Sequence, residues 1–330
     1  MAVEASPVPL RATILVIAYR MQATIAESVR SALAQTVPCE IIVSDDSSGD
    51  GTFEAAQTAV QGYVGPHRVS VRSTPRNLGL CAHMTELAAL AGTDVLVNHA
   101  GDDVAYPHRV ERLLGALDAY PQTQVIGSTV DDIDIHGNVI AARTRGLPAC
   151  IDQDWLLRRG KMATVLGASM AIRRSLFTRF PPLQGRVEDN MLTLRAVLVG
   201  ECRCLPEPLL GYRRHDSNLG DWVFDRSERS FEGWKRRQRR VLEMYREIAD
   251  DQERCVHARP DLPVARRARG LALAALYRLE AEQREALIEK PRHQWFDPLW
   301  RGLKMPGLRR KSAERALKLL LPRRWFGRGS

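Results

Sequence analysis

The first half of the chain alternates nearly unbroken apolar runs with amphipathic stretches. "ATILVIAY" (12–19) and "CEIIVS" (39–44) have the pattern of strands covered on both faces. "RVSVRS" (68–73) and "TDVLVNH" (93–99) supply a third and a fourth strand. Between them Ile25, Val29 and Leu33 recur every four residues along one helix face, with Thr24 and Glu27 at capping-box spacing. Helices also fit residues 53–61 and 81–91, and Pro107 suits the first turn of a helix carrying Val110, Leu113, Leu114 and Leu117. Strands and helices in such short alternation predict an α/β fold with a mostly parallel, Rossmann-like sheet flanked by helices. Ligands of such sheets bind beyond the carboxyl ends of the strands.

After residue 220 the period changes. Residues 235–256 and 264–289 carry apolar side chains at helical spacing between charges, which predicts a helical extension over 221–330 beside an α/β domain of residues 1–220. No run approaches the ~20 apolar residues of a membrane-spanning helix. The start, with Glu4, Pro7, Pro9 and Arg11, lacks the hydrophobic stretch of a signal peptide, so a protein that is soluble or lies on a membrane is expected. Cys39, Cys81, Cys150, Cys202, Cys204 and Cys255 are scattered without the paired spacing of a zinc site and read as reduced thiols of a cytoplasmic chain.

Charge changes the picture at one end. Residues 301–330 hold ten Lys or Arg against the single Glu314, so the whole formal net charge of +9 resides there and the remainder balances. Ala316, Leu317, Leu319, Leu320 and Leu321 lie near Lys318, Arg323, Arg324, Trp325 and Phe326, a composition suited to an anionic membrane interface. A solvated basic tail has the same composition.

Candidate chemistry gathers in acidic pairs. Asp45–Asp46 close the second strand, Asp102–Asp103 follow the fourth in "VNHAGDDVAYPHRV" (97–110), and Glu188–Asp189 open the apolar helix "NMLTLRAVLV". Asp after a strand is also a turn former, and carboxylates at a helix N-terminus complement its dipole. One task the pairs share is holding a divalent cation against the diphosphate of a nucleotide-activated substrate. Mg²⁺ and Mn²⁺ prefer oxygen ligands and would offset the repulsion between Asp102 and Asp103. "GYRRHDSN" (211–218) adds Arg213, Arg214 and His215, which could reach phosphate or metal; a charged loop reads the same way.

Over roughly residues 11–218 these stretches resemble the family 2 glycosyltransferases of the GT-A fold. "ILVIAYR" stands where the family has a strand ending in Pro-Thr-Tyr-Asn, and "SALAQTVPCEIIVSDDSSGDGT" is similar to the family's Ser-x-Leu-x-Gln-Thr and Glu-Ile-Ile-Val-x-Asp-Asp pattern. "RNLGL" looks like its Asn-x-Gly turn, "GDDVAYPHRVERL" its Asp-x-Asp motif, "VEDNMLTLR" its Glu-Asp motif and "YRRHDSN" its Tyr-Arg-x-His-x-x-Asn stretch. The resemblance implies that Tyr19 and Asp46 line the nucleobase pocket and that Asp102 faces ribose and metal. It implies Asp103 as a direct metal ligand, with Asp102 and His215 in the same metal set, under Mn²⁺ or Mg²⁺. Asp189 is then the general base of an inverting transfer and Glu188 orients it. The chain departs from the family at Ala100, where a further Asp stands in the fuller acidic motif, and at Ile17, Ala18 and Arg20, which replace Pro, Thr and Asn.

The expected activity is metal-dependent transfer of a single sugar from a nucleotide-diphosphate sugar, UDP-sugars favoured, to a hydroxyl acceptor. The Gln-x-x-Arg-Trp signature of processive synthases is absent. A lipid-linked or surface-polysaccharide precursor in bacteria is the acceptor the resemblance suggests, with the chain on the cytoplasmic face of the inner membrane through residues 301–330. Two other classes are weighed against it. A binder of nucleic acid or another anionic surface would explain the pI near 9.5, but charge balance outside the tail and the lack of an aromatic-basic stripe argue against nucleic acid. A nucleotidyltransferase would share the acidic metal site, but "AYRMQAT" is not its Gly-rich loop, and it would leave Asp189 without a task.

Overall fold

The computed structural model describes residues 9–215 and 230–320. In chain order the first elements are β1 (Ala12–Ala18), α1 (Ile25–Leu33), β2 (Glu40–Asp45), α2 (Thr52–Val60), β3 (Arg68–Ser73), α3 (Leu80–Leu90) and β4 (Val95–Ala100). Then come β5 (Val104–Ala105), α4 (Arg109–Ala119), β6 (Thr123–Ile133), β7 (Val139–Thr144), β8 (Cys150–Ile151), α5 (Gln153–Arg159), β9 (Ala171–Arg173) and α6 (Ser175–Thr178). The last are α7 (Glu188–Val199), β10 (Glu201–Arg213), α8 (Phe231–Ala258), α9 (Val264–Glu289), α10 (Phe296–Lys304) and α11 (Arg309–Leu317).

The chain divides into two compact units. One comprises residues 1–149, 165–182 and 203–213, the other residues 150–164, 183–202 and 214–330. The expected division at 220/221 lies within residues 216–229, outside the described residues.

In the first unit the sheet runs β3-β2-β1-β4-β9-β6-β10-β5, with β7 beside β6. The expected parallel pairing holds for β3-β2-β1-β4, where α1, α2 and α3 each link one strand to the next in the chain. Beyond β4 the pairings of β9 with β4, β6 with β9, β7 with β6 and β5 with β10 are antiparallel, so the sheet is mixed. β1 and β2 are buried at every position, which is why they read as apolar runs rather than alternating ones. Ile14, Val16, Ile41, Val43, Val97 and Ile126 form the core with Val29 of α1 and Val110 and Leu113 of α4. Each such fully buried side chain is worth about 1.5–3 kcal/mol.

The register sets where the loops emerge. Ala18 of β1 lies opposite Asp45 of β2, and Ile17 opposite Ala100 of β4, so Tyr19, Asp46 and Gly101 leave the sheet at one level. The loops are bonded to each other: Asp46 N donates to Ala18 O at 2.9 Å and Gly101 N to Ile17 O at 2.8 Å.

The second unit is helical around the hairpin of α8 and α9. The sequence expectations of 235–256 and 264–289 fall on these two helices, the first longer than its apolar pattern because Ser230 caps it, accepting from Gly233 N at 3.0 Å. Arg195 of α7 and Asp251 of α8 form a bidentate ion pair at 2.6 and 3.0 Å with neither side chain exposed. Arg315 of α11 donates to Glu280 of α9 at 2.6 and 2.8 Å. Burial pushes the Glu280 carboxyl up, but Arg315, Arg284 and Lys311 together hold it down to about 2. The basic segment is therefore folded in part: Arg315 and Ser312 are buried, while Leu317 and Leu320 are exposed. Leu321, Arg323, Arg324, Trp325, Phe326 and Arg328 lie outside the described residues. Among the described residues no helix is long and apolar enough to cross a membrane.

Candidate active site

The carboxyl edge of the parallel strands holds both Asp pairs of the first unit, and their surroundings differ. Asp45 accepts from Ser48 N at 3.1 Å, from Ser73 Oγ at 3.0 Å and from Ser48 Oγ, which is the turn-forming role. Asp46 accepts from Leu78 N and Gly79 N, each at 2.9 Å, and from Thr74 Oγ1 at 3.1 Å. Both of its carboxylate oxygens thus hold the segment that leads into α3. Tyr19 stands above this edge, two-fifths exposed, with the Arg20 guanidinium 5.2 Å from its ring centroid. Arg20 has φ +55°, a conformation its N–H stabilises by donating to Ser48 Oγ at 2.7 Å.

The second pair follows Gly101, where a Cβ would come within 2.9 Å of Ile25 Cδ1 and Met21 Sδ and would require those side-chain ends to shift. Asp102 and Asp103 are buried, 8% and 1% exposed. Asp103 Oδ1 accepts from Arg213 N at 2.9 Å, because β5, directly after the pair, lies opposite β10 with Val104 facing Gly211. Asp103 Oδ2 is buried and has no hydrogen-bond partner among the described residues. Burial and the neighbouring Asp102 charge push the Asp103 carboxyl well above the usual carboxylate range, although Arg213 and Arg109 pull it down.

Residues that sequence reasoning missed hold this loop. Ser31 Oγ accepts from Ala105 N at 3.0 Å, Gln35 donates to Tyr106 O at 3.0 Å and accepts from Val110 N at 3.0 Å, and Ser28 Oγ donates to Ala100 O at 2.8 Å. Ser28 and Ser31 lie at helical spacing on α1 and Gln35 two residues past its end, and a polar stripe on a helix with an apolar face is the signal the sequence offers. His99 is fully buried between Ser28 and Arg109; burial and the Arg109 charge bring its imidazole down to about 3, so it is neutral. Thr24 and Glu27 do not form the expected capping box. The Thr24 hydroxyl instead donates to Gly101 O at 3.1 Å, and Glu27 accepts from Arg213 at 2.6 Å; these tertiary partners outcompete the local cap. The sequence leaves Arg213 able to reach phosphate or metal; the structure instead buries its side chain against Asp102 O, Asp134 O, Ile135 O and Glu27. His215 stands two residues beyond it in the chain; Asp216, Ser217 and Asn218 of the same stretch lie outside the described residues.

In the second unit Glu188 and Asp189 are the first residues of α7, where carboxylates complement the helix dipole. Glu188 is buried, and desolvation with the adjacent Asp189 charge pushes its carboxyl up to about 8. A group at that value is a carboxylic acid at neutral pH and exchanges its proton near it.

Among the described residues no three His, Cys, Asp or Glu side chains converge as a ready-made metal cage. The Asp102–Asp103 pair nevertheless suits a hard divalent cation: two adjacent carboxylates, one with a buried oxygen that nothing in the described protein satisfies. Mg²⁺ and Mn²⁺ sites of this kind take one or two carboxylates and complete their shell with water and substrate phosphate.

The family described as glycosyl transferase family 2 matches residues 13–180, just over half of the 330-residue chain. The chain belongs to this family. Its matched part contains Tyr19, Asp46, Asp102 and Asp103. The "Putative glycosyltransferase EpsE" of Bacillus subtilis (strain 168) is 28% identical over 188 residues, which are 54% of this chain and 63% of EpsE, so the likeness spans less than two thirds of that relative. In fold the chain is similar to S. aureus TarS 1-349, crystallised in complex with UDP-GlcNAc, with a TM-score of 0.58, 15% identity, and 93% of this chain and 84% of that one covered. It is also similar to the mannosyltransferase PcManGT from Pyrobaculum calidifontis in complex with GDP-Man and Mn2+, with a TM-score of 0.50, 16% identity, and coverage of 96% and 90%. These likenesses establish the GT-A-type α/β fold with its C-terminal helical region.

Proposed function

We propose that the protein transfers a single sugar, with inversion, from a nucleotide-diphosphate sugar to a hydroxyl acceptor, with Mn²⁺ or Mg²⁺ held at Asp102 and Asp103. The observation that carries this reading is the buried, unsatisfied Asp103 Oδ2 at the carboxyl edge of the parallel strands. A divalent cation there supplies Lewis-acid stabilisation of the departing nucleoside diphosphate. Tyr19 offers an exposed ring face for the nucleobase, and the Asp46 carboxylate orders the loop beside it and accepts a base N–H through its remaining lone pairs. Asp189 takes the proton from the acceptor hydroxyl as that oxygen attacks the anomeric carbon opposite the leaving diphosphate. Glu188, protonated at neutral pH, hands no second negative charge to the site and orients its neighbour. His215 would join Asp102 and Asp103 in holding the cation. UDP-sugars are the favoured donors, and residues 1–220 are the catalytic part, with 221–330 as its helical extension.

The acceptor we favour is lipid-linked or a surface-polysaccharide precursor, met by a cytoplasmic protein resting on an anionic membrane. Support comes from the basic segment and from Phe296 and Trp300, one turn apart on α10 and 64% and 60% exposed, with Lys304 Nζ 5.0 Å from the Trp300 ring. Aromatic rings beside cations suit the headgroup level of such a surface.

The experiment is to incubate the protein with UDP-, dTDP- and GDP-sugars and measure release of nucleoside diphosphate with Mn²⁺, with Mg²⁺ and with EDTA. Release from one donor class, abolished by EDTA and by Asp103→Asn, supports the reading; release from none contradicts it.

A further inference from the structure

Arg213 is the last residue of β10, and its side chain is 1% exposed. A guanidinium that deep costs several kcal/mol unless it is fully paired. Nε donates to Asp102 O at 2.7 Å, Nη1 donates to Asp134 O at 2.9 Å and Ile135 O at 2.7 Å, and Nη2 donates to Glu27 Oε2 at 2.6 Å. The backbone N–H of the same residue donates to Asp103 Oδ1 at 2.9 Å. One residue therefore fixes the acidic loop, α1 and the turn after β6 against β10. None of these contacts takes Asp103 Oδ2.

We propose that Arg213 is a positioning residue for the cation: its planar fork, held behind the acidic pair, sets the loop so that Asp103 presents Oδ2 to a divalent ion. The fork geometry is what matters, because Nε and the two Nη groups meet three separate segments at fixed angles, which a lysine ammonium cannot reproduce. The charge alone acts the other way. A guanidinium beside the pair repels an incoming cation, so by Coulomb's law removal of that charge alone would tighten cation binding. Positioning and charge thus predict opposite effects of the same substitution. This inference rests on the metal-dependent reading above.

The test is Mn²⁺ binding itself, read by loss of the free Mn²⁺ EPR signal in the presence of UDP, for the wild type, Arg213→Met and Arg213→Lys. Far-ultraviolet circular dichroism and melting curves establish the folded fraction of each. Positioning partners of metal ligands typically change affinity by roughly 10- to 100-fold. The expected result is a weakening of that size in Arg213→Met, in spite of the lost positive charge, and a comparable weakening in Arg213→Lys, which keeps charge and most of the volume and serves where the Met variant does not fold. Unchanged or tighter Mn²⁺ binding by the folded variants would overturn the proposal while leaving the proposed function standing. Absence of Mn²⁺ binding by the wild type would overturn both.

Discussion

Asp45–Asp46 and Asp102–Asp103 occupy matching places: each is an acidic pair at the carboxyl end of a buried parallel strand, within the same sheet and on the same edge. Their surroundings give them different work. Asp46 accepts from two backbone N–H groups and a hydroxyl, and Asp45 from the serines around it, so both oxygens of Asp46 already hold a loop before any ligand reaches it. Asp103 keeps one oxygen without a partner among the described residues, is pressed toward its acid form by burial, and is braced by Arg213. Topology tells where a carboxylate stands; the donors that reach it decide whether it is structure or ligand site.

The sharpest way to break this contrast is Asp103→Asn. It should lower metal-dependent turnover by roughly 100-fold or more, because a lost metal contact is worth several kcal/mol in the transition state. Without metal at pH 7 its melting temperature should equal or exceed that of the wild type, since a buried like-charge repulsion is gone. A fall in stability with intact activity would place Asp103 with the loop-holding pair.

Asp46→Ala should lower stability as well as nucleotide binding. Leu78 N and Gly79 N lose their acceptor together, while Thr74 Oγ1 keeps Arg76 O at 2.8 Å, and at about 1 kcal/mol for each part-buried hydrogen bond the expected loss is about 2 kcal/mol, read from urea unfolding at unchanged m.

The third acidic pair extends the contrast to a helix start. Glu188 holds its proton in the folded state up to about pH 8, whereas in the unfolded chain it titrates near ~4.3. The stability from the protonated form is fully present below that lower value and is lost as pH rises through about 8. Glu188→Gln stays neutral throughout, so its melting temperature should exceed that of the wild type at alkaline pH, and the difference should vanish toward acid. A parallel pair of melting-versus-pH curves would show Glu188 to be ionised in the fold.

The smallest effect at the nucleotide site belongs to Phe296→Ala/Trp300→Ala, at exposed positions of α10. It should leave nucleotide binding unchanged, as exposed substitutions shift stability by no more than about 0.5 kcal/mol. Its sedimentation with vesicles containing anionic lipid should fall, and unchanged sedimentation would count against a membrane-resting face.

Much of the fold was legible. β1 and β2 announced themselves because strands buried on both faces cannot alternate, and the boundaries of α9 followed from its amphipathic period. The antiparallel half of the sheet was not, because β5 and β9 are only two and three residues long and have no period to read. The acidic pairs were legible as residues but not as roles: nothing local distinguishes Asp46 from Asp103, whose surroundings come from Leu78 and Gly79 in one case and from Arg213, 110 residues away, in the other. Thr24 and Glu27 show the same limit, since a capping-box spacing was outcompeted by Gly101 O and Arg213.

The most direct test of the central claim is the melting temperature of the wild type and Asp103→Asn with UDP, dTDP and GDP, each with and without Mn²⁺. A ligand at ~100 times its Kd should add ~2.7 kcal/mol to the folded state. The account predicts a rise for the wild type with one nucleotide, only when Mn²⁺ is present, and none for Asp103→Asn. A rise that is independent of Mn²⁺, or that survives in Asp103→Asn, would contradict it.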